Sequence, residues 1–239
     1  MDTLWINIVQ WLHTVGLHID AGTAREVAEG AARATAQLDM PGLLALAAAL
    51  GWASGFRLYA VVFLVGMMGA AGWLVLPPGL AVLQSPLVLF ASGAMLLVEF
   101  FADKVPWFDS AWDAVHAFIR VPAGAVLAAG VFGADNATMA VVAGLLGGSL
   151  SATALATKMT TRAAANTSPE PFSNWGLSLF EDGLVVAVVW LATQNPVLFG
   201  IALVVMLVLS VLVMVLLFKF LRAVLRRLSS FLSGSAKVA

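Results

Sequence analysis

From Pro41 onward the chain alternates long apolar runs with short polar breaks, and the run lengths predict helices that cross a membrane. About 20 apolar residues span a bilayer. Residues 42–74 are apolar apart from Ser54, Arg57 and Tyr59. That run is too long for one untilted span, and Gly51, Gly55, Gly66, Gly69 and Gly72 predict a break or close helix packing within it. Residues 73–79, with Pro77-Pro78, read as a turn. A second span is expected over 81–103 and a short link over 104–109, followed by a third helix to about Phe132, kinked at Pro122. Beyond a turn at 133–136 come a fourth span over 138–164, a loop over 166–174 and a fifth span over 175–193. A tight turn at 194–196 leads to a sixth span over 197–218, which is wholly apolar.

The ends of the chain read differently. Residues 3–19 place Trp5, Ile8, Val9, Leu12, Val15 and Ile19 at helical spacing between polar positions. This fits an amphipathic helix on the membrane surface or on the protein itself. Thr23 and Glu26 form a capping box that opens an Ala-rich helix to about Leu38. The expected organisation is therefore all-α. Surface amphipathic helices cover 1–40, three-helix units cover 41–133 and 137–218, and a basic tail covers 219–239.

Composition narrows the class. The chain has 239 residues, 62% hydrophobic and 10% charged, whereas soluble domains are about half apolar and about a quarter charged. It is a polytopic membrane protein, with the lipid bilayer as its first partner. It has no cysteine, which excludes disulfides and thiolate metal sites. No basic patch suggests nucleic acid, and no cofactor motif is present. The start lacks the basic region of a secretory signal, so a retained N-terminus is expected. The tail carries Lys219, Arg222, Arg226 and Arg227, while turns 74–80, 133–137 and 194–196 carry no Lys or Arg. By the positive-inside rule, both termini are expected in the cytoplasm.

Two patterns suggest an inverted repeat of three helices. Ser85-Pro86 precedes Glu99 by nearly the distance at which Ser168-Pro169 precedes Glu181. Leu50-Gly-Trp-Ala-Ser54 and Leu146-Gly-Gly-Ser-Leu150 open the first span of each half.

The candidate chemistry lies in charges set within apolar runs. A charge at mid-membrane costs about 2.5–3.5 kcal/mol on insertion scales, so it persists where it is paired, wet or functional. Arg57 lies in the first span, and Glu99 and Asp103 share a face of the second. Asp109, Asp113, His116 and Arg120 form a stripe on the third helix. Lys158 and Arg162 share a face of the fourth, Asn166 follows it, and Glu181 and Asp182 lie in the fifth. Three readings stay open. The first is a structural network pairing the six carboxylates with Arg57, Lys104, Arg120, Lys158 and Arg162. The second is a wet site for a substrate or coupling ion. The third is a divalent-cation site built on Asp113, His116, Glu99 and Asp103. No motif of a hydrolase, metalloprotease, P-loop or dinucleotide-binding enzyme occurs, so an enzyme is not expected.

The segments Gly51-Trp-Ala-Ser-Gly55-Phe-Arg57, Glu99-Phe-Phe-Ala-Asp103-Lys104-Val-Pro106, Asp109-Ser-Ala-Trp-Asp113 and Ile119-Arg120-Val-Pro122 carry a resemblance, as do Lys158, Arg162, the stretch from Asn166 to Asn174, and Glu181-Asp182. Over about residues 42–195 the chain resembles the bacterial membrane family known as domain of unknown function 4126. The resemblance implies a multi-pass protein of the bacterial inner membrane. A histidine expected shortly before the fourth-span lysine is missing at 154–157. The arrangement also has an architectural likeness to polyprenyl-phosphate lipid carriers. The functional expectation is a secondary transporter or flippase for an unidentified, anionic or other, small-molecule, lipid or ion substrate. Glu99 and Glu181 would serve as coupling groups, and the chain is compatible with a homo-oligomer. The alternatives are a non-transporting scaffold and a divalent-cation protein.

Overall fold

The computed structural model describes residues 39–105, 107–133, 136–167 and 172–235, with side chains as far as Arg226 except Val224. The helices expected over 3–19 and 23–38 lie outside the described residues. The described residues form six α-helices: α1 Met40–Ala70, α2 Pro86–Ala102, α3 Phe108–Phe132, α4 Ala137–Ala165, α5 Phe172–Gln194 and α6 Pro196–Ser235. A 3₁₀ segment, Pro78–Gln84, precedes α2. Among the described residues there is no strand.

The ends of these helices are set by local chemistry. Asp39 caps α1 by accepting from the Gly42 amide at 3.0 Å, with Pro41 in the first turn. Ser85 caps α2 by accepting from Val88 N, again followed by proline. Asn136 caps α4 through Met139 N at 3.1 Å. Asn195 accepts from Leu198 N at 3.1 Å at the start of α6. Trp107, before α3, has φ of 69°, a left-handed conformation that a bulky residue rarely adopts.

Five helices, α1, α3, α4, α5 and α6, are each long and apolar enough to cross a membrane. The second expected span differs from its reading. The stretch 81–103 is not one helix, because the 3₁₀ segment meets α2 at an angle of 68°. The break falls at Ser85-Pro86, where proline has no N–H for a continuing ladder and restricts the residue before it. The expected break in the first run is also present, but at Arg57 rather than at a glycine: its φ of −145° and ψ of 75° interrupt α1.

Helix α1 is the centre of the bundle. It packs against all five other helices and the 3₁₀ segment. Its first half buries Leu46, Leu50, Trp52 and Phe56 among the residues of a single hydrophobic core. Close approach explains the glycines here. A Cβ on Gly51 would stand 2.5 Å from Gly147 Cα and 2.9 Å from Gly147 O, so the α1 and α4 backbones touch. Gly124 brings α3 to the same crossing, where a Cβ would meet Ser151 Cβ at 2.7 Å. Gly51 and Gly147 are the two positions that the repeat pattern made equivalent, and they contact each other. Helix α6 lies outermost and exposes Val197, Ile201, Val204, Val208 and Val211 to the lipid side.

Candidate functional site

The break in α1 places Arg57 where its guanidinium reaches two other helices. Arg57 is fully buried. It pairs with Asp103 Oδ2 at 2.7 Å and, through Nε, with Asp182 Oδ1 at 3.0 Å. It also donates to Ser178 Oγ at 2.7 Å and Ser178 O at 3.2 Å. The same break turns the Phe56 carbonyl toward α4, where it accepts from Lys158 Nζ at 3.2 Å.

Lys158 lies at the middle of the cluster. Its ammonium is 3.2 Å from Asp113 Oδ1, 3.5 Å from Asp103 Oδ2 and from Glu181 Oε2, and 3.9 Å from Glu99 Oε1. Arg120 joins α3 to α2: it pairs with Glu99 Oε1 in a short contact and with Asp113 Oδ1 at 2.5 Å. Ser151 Oγ donates to the Arg120 carbonyl at 3.0 Å and holds α4 to that turn. One turn beyond Lys158, Arg162 forks onto Glu181, with Nε–Oε1 at 3.3 Å and Nη2–Oε2 at 3.0 Å. Its Nη1 donates to the carbonyls of Asp103 and Asn174 at 2.9 and 3.1 Å. A planar fork suits such divided recognition, which an ammonium cannot reproduce.

A neutral arm extends from this network. Asn166 donates to Asp109 Oδ1 at 2.9 Å and to Ser110 Oγ at 3.0 Å, and accepts from Asn174 Nδ2 at 2.7 Å. The first turns of α3 and α5 are thereby tied to the C-terminal end of α4.

The structure thus brings together Arg57, Glu99, Asp103, Asp109, Asp113, Arg120, Lys158, Arg162, Asn166, Glu181 and Asp182. All are at most 5% exposed except Asp182, whose side chain is 31% exposed. Two expected members stand apart. His116 is buried but faces aromatic rings: it stacks on Trp112 at 4.0 Å, and Nδ1 bonds the Trp112 carbonyl at 2.9 Å. Lys104 makes no ion pair with the six carboxylates. It donates to the Phe100 carbonyl and lies over that ring, and burial together with the Arg57 guanidinium holds its ammonium below its ordinary pKa. Among the described residues, no group of three or more histidines and acids is placed to hold a metal. The proposed ligand set fails because Glu99, Asp103 and Asp113 each turn an oxygen to a cation and His116 turns away.

Ser178, Asn174 and the carbonyls of Phe56 and Asp103 belong to the site without having been expected there. Positions 174, 178 and 181 share one face of α5, so a stripe search from Glu181 would have found both side chains. The carbonyls depend on helix breaks and have no side-chain signal.

These helices and their central ion cluster define a multi-pass helical membrane protein. The family described as Domain of unknown function (DUF4126) matches residues 44–216, well over half of the chain, and the chain belongs to it. No curated protein matches, and no solved structure does.

Proposed function

We propose that this protein is a secondary transporter or flippase of a bacterial inner membrane, with both termini cytoplasmic and the buried cluster as its substrate or coupling site. One observation carries the reading. Six carboxylates (Glu99, Asp103, Asp109, Asp113, Glu181 and Asp182) surround four cations (Arg57, Arg120, Lys158 and Arg162), and among the described residues of the cluster three carboxylate oxygens, Glu99 Oε2, Asp103 Oδ1 and Asp113 Oδ2, have neither a hydrogen-bond nor an ion-pair partner, against one guanidinium nitrogen, Arg120 Nε. A network kept for packing alone gains by balancing its charge and closing its bonds, since an unmatched buried group costs about 1–3 kcal/mol or more. Surplus acid with open acceptors is suited to taking up a proton or a coupling cation. The interrupted helix supports the same reading, because broken helices in transporters expose backbone groups to the cargo near mid-membrane. In this scheme Glu99 and Glu181 are the coupling carboxylates. Arg57, Arg120, Lys158 and Arg162 balance them or hold an anionic group.

The absence of native cysteine permits a direct test. Ala102 lies beside the cluster and is 4% exposed. An Ala102→Cys variant in sealed vesicles is treated with a membrane-impermeant thiol reagent from each side. Transport requires the closed cluster to open, so labelling from the external face, or from both faces, is expected, with altered rates in Glu99→Gln and Glu181→Gln backgrounds. A site dry from both faces would leave a structural ion-pair scaffold and end the transport reading.

A further inference from the structure

Between α1, α2 and α5 a cavity of about 360 Å³ opens toward the lipid side. Its walls are Phe63 and Leu64 of α1, Leu96 and Phe100 of α2, and Val186 of α5, and among the described residues Asp182 is the one charged group lining it. The mouth is flanked by Leu97, 62% exposed, and Val186, 53% exposed. The cavity has a polar and an apolar end. Going from Phe100 to Leu96, and from Asp182 to Val186, both walls lead away from Arg57 by about one helical turn, or ~6 Å.

The polar end is incompletely satisfied. Arg57 Nε covers Asp182 Oδ1 at 3.0 Å, while the carboxylate remains open to the cavity. A carboxylate facing hydrocarbon needs a donor or a cation. Lys104 stands at the same end over the Phe100 ring, with one N–H spent on the Phe100 carbonyl. An acid and a base thus flank the head of an apolar slot.

We infer that this slot binds one phospholipid whose head carries an ammonium group. The ammonium engages Asp182, the phosphate engages Lys104, and an acyl chain lies along Leu64, Leu96 and Val186. Charge complementarity selects this occupant: an anionic head without an amine would leave Asp182 with Arg57 alone and set a second negative charge near it. The inference that such a lipid is cargo rests on the transport reading above, whereas its binding does not.

The test is native mass spectrometry of the full chain released from micelles. The micelles hold equal amounts of phosphatidylethanolamine and phosphatidylglycerol with matched chains. One retained phosphatidylethanolamine per chain is expected, favoured roughly tenfold or more over phosphatidylglycerol, the scale of one charge-assisted hydrogen bond. Asp182→Asn should remove the preference. Val186→Trp fills the slot while leaving every ion pair in place, and it should abolish retention in a protein that still folds. Equal retention of both lipids, or retention unchanged in Val186→Trp, overturns the inference. Selective retention combined with a dry Ala102→Cys site keeps the lipid site and removes only its role as cargo.

Discussion

Replacing Arg120 with methionine removes the cation that Glu99 and Asp113 share. Both carboxylates are fully buried, and each bonds Arg120 through one oxygen. In Arg120→Met their remaining cation is Lys158, 3.2 Å from Asp113 and 3.9 Å from Glu99, and Lys158 already faces Asp103 and Glu181 at 3.5 Å. Removing one partner of a buried pair costs about 3–5 kcal/mol, because the other charge stays buried without compensation. At about 2–4 °C per kcal/mol for a chain of this size, the midpoint should fall by roughly 6–20 °C. The double variant Glu99→Gln/Arg120→Met removes one charge of each sign and leaves Asp113 with Lys158. It should recover much of that loss, since apolar replacement of a buried pair is often close to neutral. Thermal unfolding in detergent, followed by tryptophan fluorescence, compares wild type, both single variants and the double, and the cycle isolates the coupling. A single variant that melts within about 2 °C of wild type would refute the argument, which assigns at least the lower end of that range to the lost cation. So would a double variant that melts below Arg120→Met.

Two further outcomes follow from geometry. Gly147→Val sets a side chain against Ala128 Cβ and the Gly124 carbonyl, 2.9 Å from the new Cβ, and should cost about 1–3 kcal/mol by overpacking. Gly183→Ala meets nothing within 4 Å and should be neutral or stabilising by up to about 1 kcal/mol; a midpoint shift in the opposite order would contradict the crossing. Arg162→Lys keeps the charge but loses the fork on Glu181 and one of its two carbonyl contacts. A loss of about 2–4 kcal/mol in the same melts is expected, against no loss if charge alone mattered.

Most of the helical layout was legible because apolar run length has one strong cause, the thickness of the bilayer. The fourth span, expected over 138–164, lies within Ala137–Ala165. The second misled because Leu80 to Leu83 are as apolar as α2 itself, so hydropathy ran straight through a 68° bend that only Ser85-Pro86 signalled. The site was legible through the cost of buried charge: eleven of the twelve expected residues meet in one network. His116 did not join, because the spacing that aligned it with Asp113 equally suited stacking on Trp112. Lys104, one of the five cations of the structural-network reading, lies past the end of α2 and turns to Phe100. The glycines of the first run announced a break without placing it: Gly55 lies two residues before the interruption, which falls at Arg57 itself. It depends on partners far along the chain, which a local pattern does not contain.

Those distant partners bear on how the protein is made. Arg57 is the mid-point charge of the first described span, and Ser178, which its guanidinium contacts, is 121 positions later in the chain. When α1 leaves the ribosome, Asp182, 125 positions after Arg57, has not been synthesised. A lone arginine at mid-membrane disfavours insertion by about 2.5–3.5 kcal/mol, against the gain from the apolar residues around it. The nascent α1 therefore has reason to linger at the insertion machinery, or at the membrane surface, until α2 and α5 arrive. Helix α1 is thus expected to seat late, together with α2 and α5, and a truncation ending before α5 should be cleared by quality-control proteases rather than accumulate as a half-bundle.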